Sequence, residues 1–70
     1  MSKQQFTNLY LSAVLRAATG GTVTQIRYNY LDVAKLEQVT VYFDTGFSKV
    51  VDVTGDSLVA LAYDVLKAVM

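Results

Sequence analysis

Polar residues Gln5, Asn8, Ser12, Arg16 and Thr19 recur at intervals of three and four near the start of the chain, and Phe6, Leu9, Tyr10, Ala13, Val14 and Ala17 fall on the other side. That period predicts a helix over residues 3–19. Ser2 is placed to cap its start, and Gly20-Gly21 supplies the left-handed conformation that closes a helix. From Thr22 to Leu31 the period shortens to two. Thr24, Ile26, Tyr28 and Tyr30 alternate with Val23, Gln25, Arg27 and Asn29, which predicts a half-buried strand. The polar stretch Asp32 to Lys35 turns the chain into a second strand, Leu36 to Asp44, where Val39, Val41 and Phe43 alternate with Gln38, Thr40 and Tyr42. Asp44-Thr45-Gly46 suits a type I hairpin turn with a glycine bulge, and a third strand follows from Phe47 to Val53. Strict alternation groups Lys49 with Phe47, Val51 and Val53, so either a bulge intervenes or the lysine stem snorkels at a sheet edge. Thr54-Gly55-Asp56-Ser57 opens a last helix reaching Met70, with Thr54 or Asp56 as its cap and an acidic first turn suited to the helix dipole.

This order predicts a single α+β domain over residues 1–70, of αβββα topology: a three-stranded antiparallel meander with two helices packed on one face. Ile26, Tyr28, Val39, Val41, Phe43, Val51 and Val53 are the expected sheet contribution to the core. Gln25, Arg27, Asn29, Gln38, Thr40 and Tyr42 fall on the face away from the helices and form a candidate binding surface, tyrosine being common at interfaces. Tyr10, Tyr28, Tyr30 and Tyr63 are expected at the helix and sheet margins, with their hydroxyls in water.

The last helix is more apolar than one core requires. Leu58, Val59, Leu61, Ala62, Tyr63, Val65, Leu66, Ala68, Val69 and Met70 cover roughly 220° of its circumference, against little over 100° for a helix on a single core. The surplus predicts a homo-oligomer, with a dimer as the simplest form. Its interface would use Leu58, Val59, Ala62, Val65, Leu66 and Val69, joined by Leu11 and Leu15 of the first helix. Such an interface offsets the small core available to 70 residues.

Composition narrows the chemistry. The chain has no Cys and no His, so it carries no thiolate nucleophile, no cysteine-ligated zinc and no histidine base or ligand. A non-enzymatic protein without cofactor or metal is expected. Asp52 and Asp56 are close in sequence, but a calcium loop needs six to eight oxygens, and none is present. Six basic and six acidic residues are scattered without runs, which disfavours nucleic acid and anionic membranes as partners. The polar start, Met1 to Phe6, lacks the apolar segment of a secretory signal, and the run from Leu58 is too short to span a bilayer, so a cytoplasmic location is expected.

Three resemblances accompany this reading. Asp44-Thr45-Gly46 resembles the active-site triplet of aspartic proteases, whose small retroviral members pair two carboxylates by dimerising. Those chains are longer and all-β, however, and a hairpin turn itself demands Asp-x-Gly. The αβββα order resembles the double-stranded RNA-binding domain, in which lysines at the start of the last helix grip phosphates. Here that start is Gly55-Asp56-Ser57-Leu58, and RNA binding would need Arg27, Lys35 and Lys49 of two copies to combine. Finally, Val51-Asp52-Val53-Thr54-Gly55-Asp56-Ser57, followed by Ala60, Asp64, Val65 and Lys67, resembles short helix-meander-helix proteins encoded by phages and prophages of Gram-positive bacteria. That resemblance implies an intracellular phage-related accessory protein and assigns no functional residues.

Overall fold

Ser2 starts the first helix with a reciprocal cap. Its Oγ accepts from the Gln5 N–H at 3.1 Å, and Gln5 Oε1 accepts from the Ser2 N–H at 3.2 Å. In the computed structural model, which describes residues 1–69, this helix runs through Lys3–Gln5, a wider π-helical segment Phe6–Leu11, and Ser12–Ala18. The Ser12 N–H reaches back five residues to the Thr7 carbonyl within the wide segment. Gly20 and Gly21 stop the helix at φ +64° and +92°, and the Gly21 N–H closes on the Arg16 carbonyl at 3.0 Å.

Three strands follow: β1 Val23–Leu31, β2 Leu36–Phe43 and β3 Ser48–Asp52, antiparallel in the order β1-β2-β3. The expected α+β fold, helix then meander then helix, is the one observed. Pairing sets Ile26 beside Val41 and Tyr28 beside Val39, with Val51 next to Val39 and Lys49 next to Val41. The irregularity in the sheet lies in β1, between Val23 and Gln25, and not in the third strand. Lys49 therefore keeps its place on the inner face. Its Nζ donates to the Ala68 carbonyl at 3.3 Å near the end of the last helix, a favourable place for a cation.

In the β1–β2 turn, Lys35 takes φ +53°, a left-handed conformation that costs an L-residue with a Cβ about 1–2 kcal/mol. Lys35→Gly is expected to raise stability by about 0.5–1 kcal/mol, because relief of that conformation exceeds the added chain entropy of glycine; a urea midpoint measurement reads it. At the second turn the Gly46 N–H donates to the Phe43 carbonyl at 3.0 Å with Gly46 at φ +89°, as a type I turn with a glycine bulge requires.

The last helix is Leu58–Val69, three residues shorter at its start than the sequence suggests. Ser57, not Thr54 or Asp56, caps it, its Oγ accepting from the Ala60 N–H at 3.2 Å. Asp56 precedes the helix, so its first turn holds no acid. Leu11 and Leu15 of the first helix meet Leu61 and Val65 of the last over Val23, Ile26, Val39, Val41 and Val53, forming one core with both helices on the same sheet face. Phe47 departs from expectation: it is exposed at the hairpin and stacks on Phe43 with ring centroids 5.8 Å apart.

Candidate interaction surface

The first helix faces the sheet with a partly polar side. Thr7, Leu11, Ser12 and Leu15 are its buried residues. Along the flank, Asn8 Oδ1 accepts from the Tyr28 N–H at 2.9 Å and Ser12 Oγ from the Ile26 N–H at 3.2 Å, and Arg16 Nε donates to the Thr24 carbonyl at 3.1 Å. The spacing explains the match. Four helical residues rise about 6 Å, and two strand residues advance about 6.6 Å, so an i, i+4, i+8 stripe meets every second residue of an antiparallel neighbour. The polar stripe visible in the sequence is thus the cover of the β1 edge.

The apolar side of that helix points outward as a consequence. Leu9, Tyr10 and Val14 are more than half exposed, and Ala13 and Ala17 are exposed with them. Phe6, half-buried, joins this stripe to an apolar groove of about 350 Å³ lined by Phe6, Leu58, Val59, Ala62, Tyr63 and Leu66. Val59 and Tyr63 are 80% and 61% exposed on its rim, and Lys67 Nζ lies 5.1 Å from the Tyr63 ring centre.

Four of the six interface residues expected from the sequence, Leu58, Val59, Ala62 and Leu66, line this groove. Val65 does not, being fully buried in the core; it lies a turn after Leu61 on the side that packs against the sheet. Val69 is half-buried against the core. Leu11 and Leu15 are core residues as well, since the edge-covering stripe turns them inward. Phe6, Leu9, Tyr10 and Val14 take their place at the surface. The signal for this was the polar stripe itself, whose hydroxyl and amide groups suit a strand edge better than water alone.

The opposite sheet face carries the other predicted surface in three cross-strand rows: Gln25, Tyr42 and Ser48; Arg27, Thr40 and Val50; Asn29, Gln38 and Asp52. All six predicted residues share it. Arg27 lies on this face and Lys49 on the other, with Lys35 in the first turn, so the three basic residues do not converge within one copy.

A polar cluster closes one end of the molecule. Glu37 accepts from Lys3 Nζ at 2.7 and 2.9 Å, from the Tyr28 hydroxyl, and from the Gly55 N–H at 2.9 Å, and its own N–H donates to Thr54 Oγ1 at 3.0 Å. The Lys3 ammonium, then the Tyr28 hydroxyl and the Gly55 N–H, lower the Glu37 carboxyl to about 2. Burial, and then the Glu37 carboxylate, push the Tyr28 hydroxyl up to about 12. Both shifts lead away from neutrality, so the pair is poorly matched to proton transfer near pH 7 and acts as a clasp between the first helix, the sheet and the last loop. Among the described residues, Tyr28 is the one marginal tyrosine whose hydroxyl is engaged by a side chain. Next to the clasp, the Asp64 carboxyl, with burial adding to it, raises the Asp56 carboxyl. No group of three or more His, Cys, Asp or Glu is arranged to hold a metal ion among the described residues. None of their helices is long and apolar enough to cross a membrane.

No protein-family model, curated protein or solved structure matches this chain.

Proposed function

We propose that this protein is a non-catalytic assembly module that binds a second copy of itself through the outward face of its helix pair. The apolar stripe of the first helix, continuous through Phe6 with the groove on the last helix, is the observation that carries this reading. The face offers an apolar groove of about 350 Å³ beside the exposed side chains of Leu9, Tyr10 and Val14, so each copy presents both a recess and apolar side chains to enter the recess of the other. A standard interface takes about 800 Å² from each partner, comparable to one broad face of a molecule measuring 34 × 23 × 18 Å. Zero formal charge leaves no long-range repulsion between copies.

The test is a double substitution, Val59→Asp with Tyr63→Glu. Both side chains are exposed and neither supports the core. The variant is expected to keep the circular dichroism spectrum of the parent while its mass falls below that of the parent. An unchanged mass above one chain would refute the helix-face interface. A charge at Val65 is no substitute for this test, because it would unfold the core around Leu61.

A further inference from the structure

The two edges of the sheet are finished differently. Side chains of Asn8, Ser12 and Arg16 engage three outward backbone groups of β1, the Tyr28 and Ile26 N–H and the Thr24 carbonyl, whereas no described residue engages those of β3. The Val53 N–H donates to the Glu37 carbonyl and the Phe47 carbonyl accepts from the Phe43 N–H. Alternation along the ladder therefore turns Ser48, Val50 and Asp52 toward the open side. Two of the usual protections of an exposed edge, proline and a bulge, are missing there. β3 has no proline and no bulge, and its one lysine, Lys49, sends its ammonium across the inner face to the Ala68 carbonyl.

We propose that β3 pairs antiparallel with β3 of a second copy about a twofold axis through Val50, joining two three-stranded sheets into one of six strands. In this register Val50 faces its own equivalent and Ser48 faces Asp52, so every outward residue of both strands exchanges its N–H and C=O bonds. On the outer sheet face the exposed Val50 side chains cover each other. The Ser48 hydroxyl meets the Asp52 carboxylate, of which Oδ1 is already held by Thr54. Moving the axis to Lys49 would set two positively charged lysines directly opposite each other in the ladder, and moving it to Val51 would carry Ser48 past the end of the facing strand. Charge and strand length both select Val50. This contact does not use the helix face, and the two together build assemblies of more than two chains.

Hydrogen exchange of the intact chain, followed by NMR at a low and a high concentration, tests the proposal. The amides of Ser48, Val50 and Asp52 are expected to slow by about tenfold or more at high concentration, and to lose that protection on dilution. Val50→Pro removes an N–H that the single chain does not use, and Val50→Lys places two ammonium groups on the axis. Each is expected to abolish the protection and lower the mass, with the β1 and β2 amides still protected. The helix-face variant Val59→Asp/Tyr63→Glu is expected to keep it, which separates failure of this contact from failure of the other. Exchange of the three amides at unprotected rates at the highest concentration, or protection indifferent to concentration, would overturn the proposal.

Discussion

Between pH 4.5 and about pH 2 the domain is expected to lose the stability that it draws from Glu37, and a Glu37→Gln variant is expected to lack that loss. The carboxyl is lowered from its ordinary 4.5 to about 2 in the folded chain, chiefly by the Lys3 ammonium. A group lowered on folding binds fewer protons folded than unfolded, so its contribution is complete above the unfolded value and disappears as pH falls through the folded one. Glu37→Gln keeps the shape but removes the charge that holds Lys3, Tyr28 and the Gly55 N–H together, and several degrees of Tm at pH 7 are expected to go with it. Asp56 works in the opposite direction. Its carboxyl is raised by Asp64, so its contribution is present below the unfolded value and lost as pH rises through the folded one. Thermal melts of the parent and Glu37→Gln from pH 2 to pH 7 check the assignment. Parallel pH profiles of the two proteins would refute it.

Ser12→Ala is expected to destabilise the domain by about 1–3 kcal/mol, the cost of leaving a buried N–H without an acceptor. Ser12 is 3% exposed, and its hydroxyl is the acceptor for the Ile26 N–H in the middle of the covered edge. A serine on an ordinary helix surface would lose only a few tenths of a kcal/mol by the same change, because alanine is the better helix former. Adding Asn8→Leu, which orphans the Tyr28 N–H two residues along, is expected to lower stability further and to expose β1 to other strands. Urea unfolding of the single and double variants measures both steps. A loss below about 0.5 kcal/mol for Ser12→Ala would mean that water takes over the Ile26 N–H.

The strands and turns were legible because period-two alternation and glycine placement are local signals. Val39 and Val41 against Thr40 and Tyr42 fix which face of β2 is buried, and Gly46 fixes the turn that follows. Even Lys49 kept its alternation, because the end of the last helix supplied a carbonyl for its ammonium. The first helix was harder to read. Its apolar and polar stripes were both visible, but which one faces the sheet depends on where the helix sits relative to an edge, and a helix beside a strand edge is rewarded for turning Asn8, Ser12 and Arg16 toward that edge. The last helix misled at its start, where Thr54, Asp56 and Ser57 are all competent caps; Thr54 was engaged by Asp52 and Glu37, which left Ser57 to the helix. Glu37 itself could not be singled out, since its partners Lys3 and Gly55 lie 34 and 18 residues away. For the interaction surface, Leu58, Val59, Ala62 and Leu66 were legible as apolar surplus. Phe6, Leu9, Tyr10 and Val14 became surface residues only through the tertiary placement of the first helix.

Self-association is most directly tested by the molar mass of the unmodified chain, measured by light scattering behind gel filtration over a dilution series. The account predicts a mass of two or more chains that dissociates only at low concentration. A mass of 7.7 kDa at every concentration would contradict it.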